Sequence, residues 1–470
     1  MGETRYTEEF TKLLCDLKFE DIPPDVIEQV KKLTLHVIGV SIASYPTEQC
    51  KSSIKLAQSR GGVPEATVWC SDGTKVPIEN ASFANGTMTD ILDWEDCSWI
   101  GHPTPCVIPV CLAFAERDQA SGKEYITNVV TALEGYTRAG MAMQPTREYV
   151  NDGFRFPLLS VSILASSIAA AKCLHLDRDP KKFEQVFGAA SYHMQVPTNK
   201  HAHIGNMSDI WHYGQGIAAR NGVQAALITE AGFENCYAAF DDWDGLWKMI
   251  SDRHRPEWYT KDWKKTWYTN EIVIKHWPVN IWVEAPVDGI ANLYKKYKFR
   301  MEDVKAVRVS PPANILIADY ANSARGMLDA MFNIAYCCTV YLMKPDNPGY
   351  EWFTPEMRNN EKLIEFTKKF SYPGEFVITY DHFVKFMGTG EFPEVTVEVE
   401  LYSGEVYRET LRYPKGHPRN NYTMEECCEE FRMCCKPFMP EEKIEKLIET
   451  VLNLEKVENL RPFAEMLAFK

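Results

Sequence analysis

The 470-residue chain lacks the short signatures of the commonest catalytic folds. It has no GxGxxG opening a helix, no GxxxxGK[ST], no HExxH and no GxSxG. Nucleotide-binding and serine-hydrolase readings therefore have little support. CxxC knuckles are missing too. The fourteen cysteines include the adjacent pairs Cys337-Cys338, Cys427-Cys428 and Cys434-Cys435, and adjacent cysteines rarely bridge each other or share a zinc ion. They read as mostly reduced, helical, partly buried thiols of an intracellular protein. Positive charge is in deficit, with 51 Lys and Arg against 65 Asp and Glu and a formal net charge of −14. Phosphate backbones demand concentrated positive charge, so a dominant nucleic-acid role is excluded. An anionic small molecule is not, because a pocket can be locally basic. The opening MGETRYTEEF has no basic and no apolar leader region. The apolar stretches 103–115 and 157–173 are too short or too polar to span a bilayer. The expectation is a cytoplasmic protein that contacts no membrane.

Long Pro, Gly or Ser runs and internal repeats are also absent, and the composition is that of a globular protein, 45% hydrophobic and 25% charged. A chain of this length exceeds one simple core and predicts two domains, or one with an insertion. Val26, Ile27, Val30, Leu33, Val37 and Val40 mark a helical face whose start is set by Pro23-Pro24. Segments 79–92, 105–117, 122–140, 157–173 and 216–232 continue the helical texture, several rich in Ala, Ser and Gly. Small residues let helix backbones approach closely, so a tightly packed helical body follows. Near Lys275 the texture changes. After a helix at 285–297, VKAVRVSPP (304–312) and VTVEVELYSG (395–404) alternate with strand period, with helical candidates at 321–343 and 359–369. The fold class is mainly α with an α+β second domain: a helical domain at 1–268, an α+β domain at 269–408, and a C-terminal helical segment at 409–470 that rejoins the helical domain.

Chemistry-bearing residues gather in five places. DILDWEDCSWIGHP (90–103) holds Asp90, Asp93, Glu95 and Asp96 ahead of His102-Pro103. A histidine can exchange protons near neutrality and a carboxylate can orient it, so Asp93 and His102 are the pair to isolate. The competing account is a charged surface turn with His102 at a helix cap. NDGFRFP (151–157) offers Arg155, near Arg147, as a clamp for a carboxylate or as a plain salt bridge. HMQVPTNKHAHIGNMSDIWHYGQG (193–216) holds His193, His201, His203 and His212. His201 and His203 have the spacing of a metal pair, but no cysteine or carboxylate set accompanies them, and a pocket loop suits the segment better. IVIKHWPVNIWVEAP (272–286) places Lys275 and His276 where the texture changes, and domain junctions favour pockets. There Lys275 either holds a carboxylate or lies on the surface over aromatic packing. YPKGHPRN (413–420) is a basic turn, near a pocket or simply linking domains.

These five regions, in this order, resemble the MmgE/PrpD family, most clearly at NGTMTDILDWEDCSWIGHP (85–103), SGKEYITNVVTALEGYTRAG (121–140), GIAARNGVQAALITEAGF (216–233) and YPKGHPRN. The resemblance spans nearly the whole chain. It implies a large helical domain built from both chain ends plus a smaller α+β domain, a homodimer, and no metal or organic cofactor. It also implies small di- or tricarboxylate substrates and removal of a proton beside a carboxylate. Asp93 and His102 match the family's acidic and HP elements, and Lys275 the lysine opening its junction motif. The chain departs from the pattern elsewhere. Asp90 and Arg155 stand where histidines are usual, the lysine and histidine ahead of the small-residue helix give way to Asp209-Ile210-Trp211-His212, and Glu284 falls at the histidine ending the junction motif.

The expectation is therefore a divergent, cofactor-independent lyase, a dehydratase or decarboxylase, acting on a carboxylate-bearing or other enolisable small metabolite, in specialised biosynthesis. An isomerase or epimerase working by proton abstraction and reprotonation is the first alternative, and a non-catalytic binding or scaffold homologue the second. The expected catalytic residues are Asp93, His102, Lys275 and Glu284. Asp90, Arg155, His203, His212 and Lys415 are expected to bind substrate, and Glu95 and Asp96 to support them.

Overall fold

The computed structural model describes residues 5–98, 100–143, 158–194, 209–241, 243–251, 254–311, 319–345, 348–374 and 390–469. They form two compact units. The first comprises Met1–Ile91, Ile100–Ile272 and Thr423–Lys470, and the second Leu92–Trp99 and Val273–Tyr422. The stretch 92–99 thus groups with the later part of the chain, as do residues 409–422.

The first unit is helical. Its principal elements are α1 (Pro24–Ala43), α2 (Ile78–Asp90), α3 (Thr104–Asp118), α4 (Gly122–Ala142), α5 (Leu158–Cys173) and α6 (Ile210–Glu230). Proline at the first position of α1 needs no N–H partner and presets its entry. The Ser121 hydroxyl caps α4 by accepting from Glu124 N. α6 packs on both α2 and α5, and α5 on α4. The small-residue texture explains why these contacts are so close. A Cβ on Gly216 of α6 would lie 2.1 Å from Thr87 Oγ1, and one on Gly86 of α2 would lie 2.7 Å from Pro105 O. No larger side chain fits at that crossing without movement. The C-terminal helix Met424–Cys435 packs on α1.

The second unit is α+β. A two-stranded ribbon pairs β1 (Asp96–Cys97) with β2 (Val273–Ile274), antiparallel, Asp96 opposite Ile274. A four-stranded sheet runs in the order β4–β3–β5–β6, with β3 Val304–Ser310, β4 Phe370–Ser371, β5 Val395–Leu401 and β6 Val406–Leu411. Only the β3–β4 pair is parallel. Val395, Val397, Val399 and Leu401 are buried while the residues between them are partly exposed, as strand alternation requires. Helix α7 (Glu284–Tyr297) covers β5 and β6, and packs on α8 (Ile334–Met343). The expected helical domain and smaller α+β domain are both present. All fourteen cysteines are free, and twelve are buried. Among the described residues, no helix is long and apolar enough to cross a membrane.

Candidate functional site

Asp90, His102 and His212 belong to the first unit. Asp90 is the last residue of α2 and is buried. Its backbone carbonyl lies 3.1 Å from His212 Nδ1. A carbonyl only accepts, so this contact fixes the ring proton on Nδ1 and orients an imidazole that is itself buried in the first turn of α6. His102 lies between Gly101, at φ 137°, and Pro103, which precedes the first residue of α3. It is buried at the entry to that helix.

Asp93, Lys275, Glu284 and Lys415 belong to the second unit. The β1–β2 ribbon brings the stretch after residue 92 beside the segment around 275. Lys275 Nζ lies 2.6 Å from Asp93 Oδ1, 2.7 Å from Asp93 O and 3.0 Å from Glu95 Oε1. An ammonium has three N–H donors, and these acceptors use all of them. All three side chains are fully buried. Burial pulls the Lys275 pKa down, but Asp93 and Glu95 pull harder and hold it above the usual lysine value. The carboxylates that occupy Lys275 are thus the chain's own. Asp96 is also fully buried.

Glu284 opens α7 and is fully buried. Its two carboxyl oxygens accept the backbone N–H groups of His276 at 3.1 Å and Trp277 at 3.2 Å. Burial, with Asp288 nearby, pushes its carboxyl well above the usual value despite Lys275 and those two donors. One turn on, Asp288 accepts from His276 Nδ1 at 3.0 Å, Trp277 Nε1 at 2.8 Å and Lys415 N at 2.7 Å. Burial alone would raise Asp288, but these donors, His276 first, hold it below its usual value. The Lys415 ammonium donates to Asn421 O at 3.2 Å and lies over the Tyr422 ring. Its turn is clamped to β2. Gly416, at φ 85°, accepts from Ile274 N at 3.0 Å, and a Cβ there would fall 1.7 Å from Ile274 O.

Arg155 and His203, with Arg147 and His201, lie outside the described residues. Sequence reading passed over Asp288. Its signal was the spacing, since Asp288 follows Glu284 by four residues and so shares its helix face. A groove of about 710 Å³ in the first unit, lined by Tyr45, Lys51, Lys55, Cys70 and Phe469 among others, holds none of the candidate residues. Among the described residues no cluster of three His, Cys, Asp or Glu side chains is arranged to hold a metal.

Comparison with known proteins divides the chain once, between residues 259 and 277. The MmgE/PrpD N-terminal domain matches residues 8–259 and the MmgE/PrpD C-terminal domain residues 277–456. Human cis-aconitate decarboxylase is 22% identical, over 96% of this chain and 92% of its own length. The mouse cis-aconitate decarboxylase is 21% identical, over 98% and 93%. A cis-aconitate decarboxylase-like protein, oryM, of Aspergillus oryzae is 22% identical, over 96% and 95%. With both family domains present in order and end-to-end similarity to such relatives, the chain belongs to the MmgE/PrpD family.

Proposed function

We propose that the chain is a lyase, a dehydratase or decarboxylase, acting on a carboxylate-bearing or otherwise enolisable small metabolite without a metal or organic cofactor. Family membership and relatives named as cis-aconitate decarboxylases support the reaction class. The observation that carries the reading within the chain is the buried Lys275–Asp93–Glu95 group, an arrangement that holds one carboxylate rigidly. In such chemistry a base removes the proton next to a carboxylate and an enolate forms. Water then leaves when an acid protonates the departing hydroxyl. In a decarboxylation no proton is removed first: carbon dioxide leaves, the electron pair of the broken C–C bond stays on the remaining fragment, and an acid protonates that carbon.

We assign the proton transfers to Asp93 and His102. Lys275 acts as a positioning residue, because its three donors already hold Asp93 and Glu95. Glu284 has the same kind of task, since its oxygens hold the backbone just after Lys275. Asp90, Arg155, His203, His212 and Lys415 are assigned to substrate binding. Homodimerisation, a cytoplasmic location and a place in specialised biosynthesis belong to the same proposal.

The test is incubation of the purified protein with small carboxylates in D₂O, cis-aconitate first, followed by NMR. Loss of carbon dioxide to give an acid one carbon shorter makes it a decarboxylase, and loss of water a dehydratase. Deuterium exchange beside the carboxylate with neither loss would instead favour an isomerase or epimerase. Binding without exchange or loss would favour the non-catalytic alternative.

A further inference from the structure

Gln215 of the first unit is placed where packing alone gives no reason for a polar side chain. It lies on α6 three residues after His212, and so on the same helix face. The residue is 4% exposed. Its Oε1 is sealed from solvent with no hydrogen-bond partner among the described residues. The backbone on either side of Gln215 is closely packed. A Cβ on Gly214 would sit 3.0 Å from Leu159 Cδ1 of α5, and one on Gly216 would sit 2.1 Å from Thr87 Oγ1 of α2. An amide oxygen kept inside without a partner lowers stability, and leucine, of similar size, would avoid that cost. Interior polar groups that break the packing rule in this way are expected where a ligand completes them.

We propose that Gln215 is a substrate-contacting specificity residue that reads a neutral group able both to donate and to accept, a hydroxyl or a carboxamide, on a small carboxylate. This rests on the reading of the chain as an enzyme for small carboxylates. A glutamine amide presents one acceptor and one donor side by side, so a charged carboxylate satisfies only its N–H side, whereas a hydroxyl or carboxamide satisfies both. Clamping between two helices makes the recognition rigid, and the His212 imidazole, fixed by the Asp90 carbonyl, lies one turn before it.

The test compares the wild-type chain with Gln215→Leu. Without ligand, the variant melts about 2 °C or more above the wild type, because an unsatisfied amide has been removed. An unchanged or lower melting temperature would mean the amide serves the fold, and would overturn the proposal. Calorimetry with succinate, malate and succinamate supplies the second readout. The wild type binds malate or succinamate about tenfold more tightly than succinate, and the variant loses that preference. A preference for malate identifies the hydroxyl, and one for succinamate the carboxamide. Equal binding of all three by the wild type, or a preference that survives in the variant, sinks the role of Gln215 alone. Failure of the wild type to bind any of them sinks the small-carboxylate reading and this inference with it.

Discussion

A single ammonium, Lys275 Nζ, lies 2.6 Å from the Asp93 carboxylate and 2.7 Å from the Asp93 carbonyl. It thereby holds both the side chain and the backbone of a residue whose φ of 49° is in the left-handed region, where a non-glycine residue is uncommon and strained. Its third donor goes to Glu95. Tying down a strained acidic residue with a fully buried cation is an expensive way to make a turn, and an economical way to aim a carboxylate.

Removing the cation leaves two buried carboxylates facing each other. Lys275→Met is expected to lose about 3–5 kcal/mol, the usual cost of breaking one side of a buried ion pair, seen as a lower urea midpoint. Asp93→Asn, which keeps an acceptor for Lys275, should lose distinctly less. Equal midpoints for Lys275→Met and the wild type would contradict the positioning role.

Glu284 gives stability a signed pH dependence. Its folded pKa is raised above the ordinary value of 4.5, so above that pH the unfolded chain releases a proton that the folded chain retains. Stability from this group is fully present below the unfolded pKa and is lost as pH rises toward the folded one. Glu284→Gln removes that loss. The melting temperature of the variant relative to the wild type should therefore climb between about pH 5 and pH 8. A constant difference across the range would show that Glu284 is ionised in the fold.

The crossing of α2 and α6 tolerates no extra atom. Gly216→Ala places a methyl group where Thr87 Oγ1 stands 2.1 Å away, and overpacking of this kind costs about 1–3 kcal/mol. Thermal melting checks it. An unaltered melting temperature would mean the helices part without cost.

The fold was legible because its packing rules are local. Ala, Ser and Gly in segments 79–92, 157–173 and 216–232 announced close helices, and Gly86 and Gly216 lie at such a crossing. The alternation of Val395, Val397, Val399 and Leu401 announced a strand with one buried face, as found. The chemistry was less legible because its partners are distant in sequence. Nothing local links Asp93 to Lys275, which meet through β1 and β2, strands of two residues each. Such strands are too short for periodicity to register. Asp288 was missed for a similar reason. Its partners His276, Trp277 and Lys415 come from a turn before α7 and a turn after β6. Gln215 gave no signal at all, because an unsatisfied amide is visible only once burial is known.

The most direct test of the central claim is turnover by Asp93→Asn and His102→Ala of whichever small carboxylate the wild type converts, with far-UV circular dichroism and melting measured alongside. The account predicts that both variants keep the fold and lose turnover by about 10²-fold or more, the scale of removing a positioned acid or base. Wild-type turnover in both folded variants would contradict it.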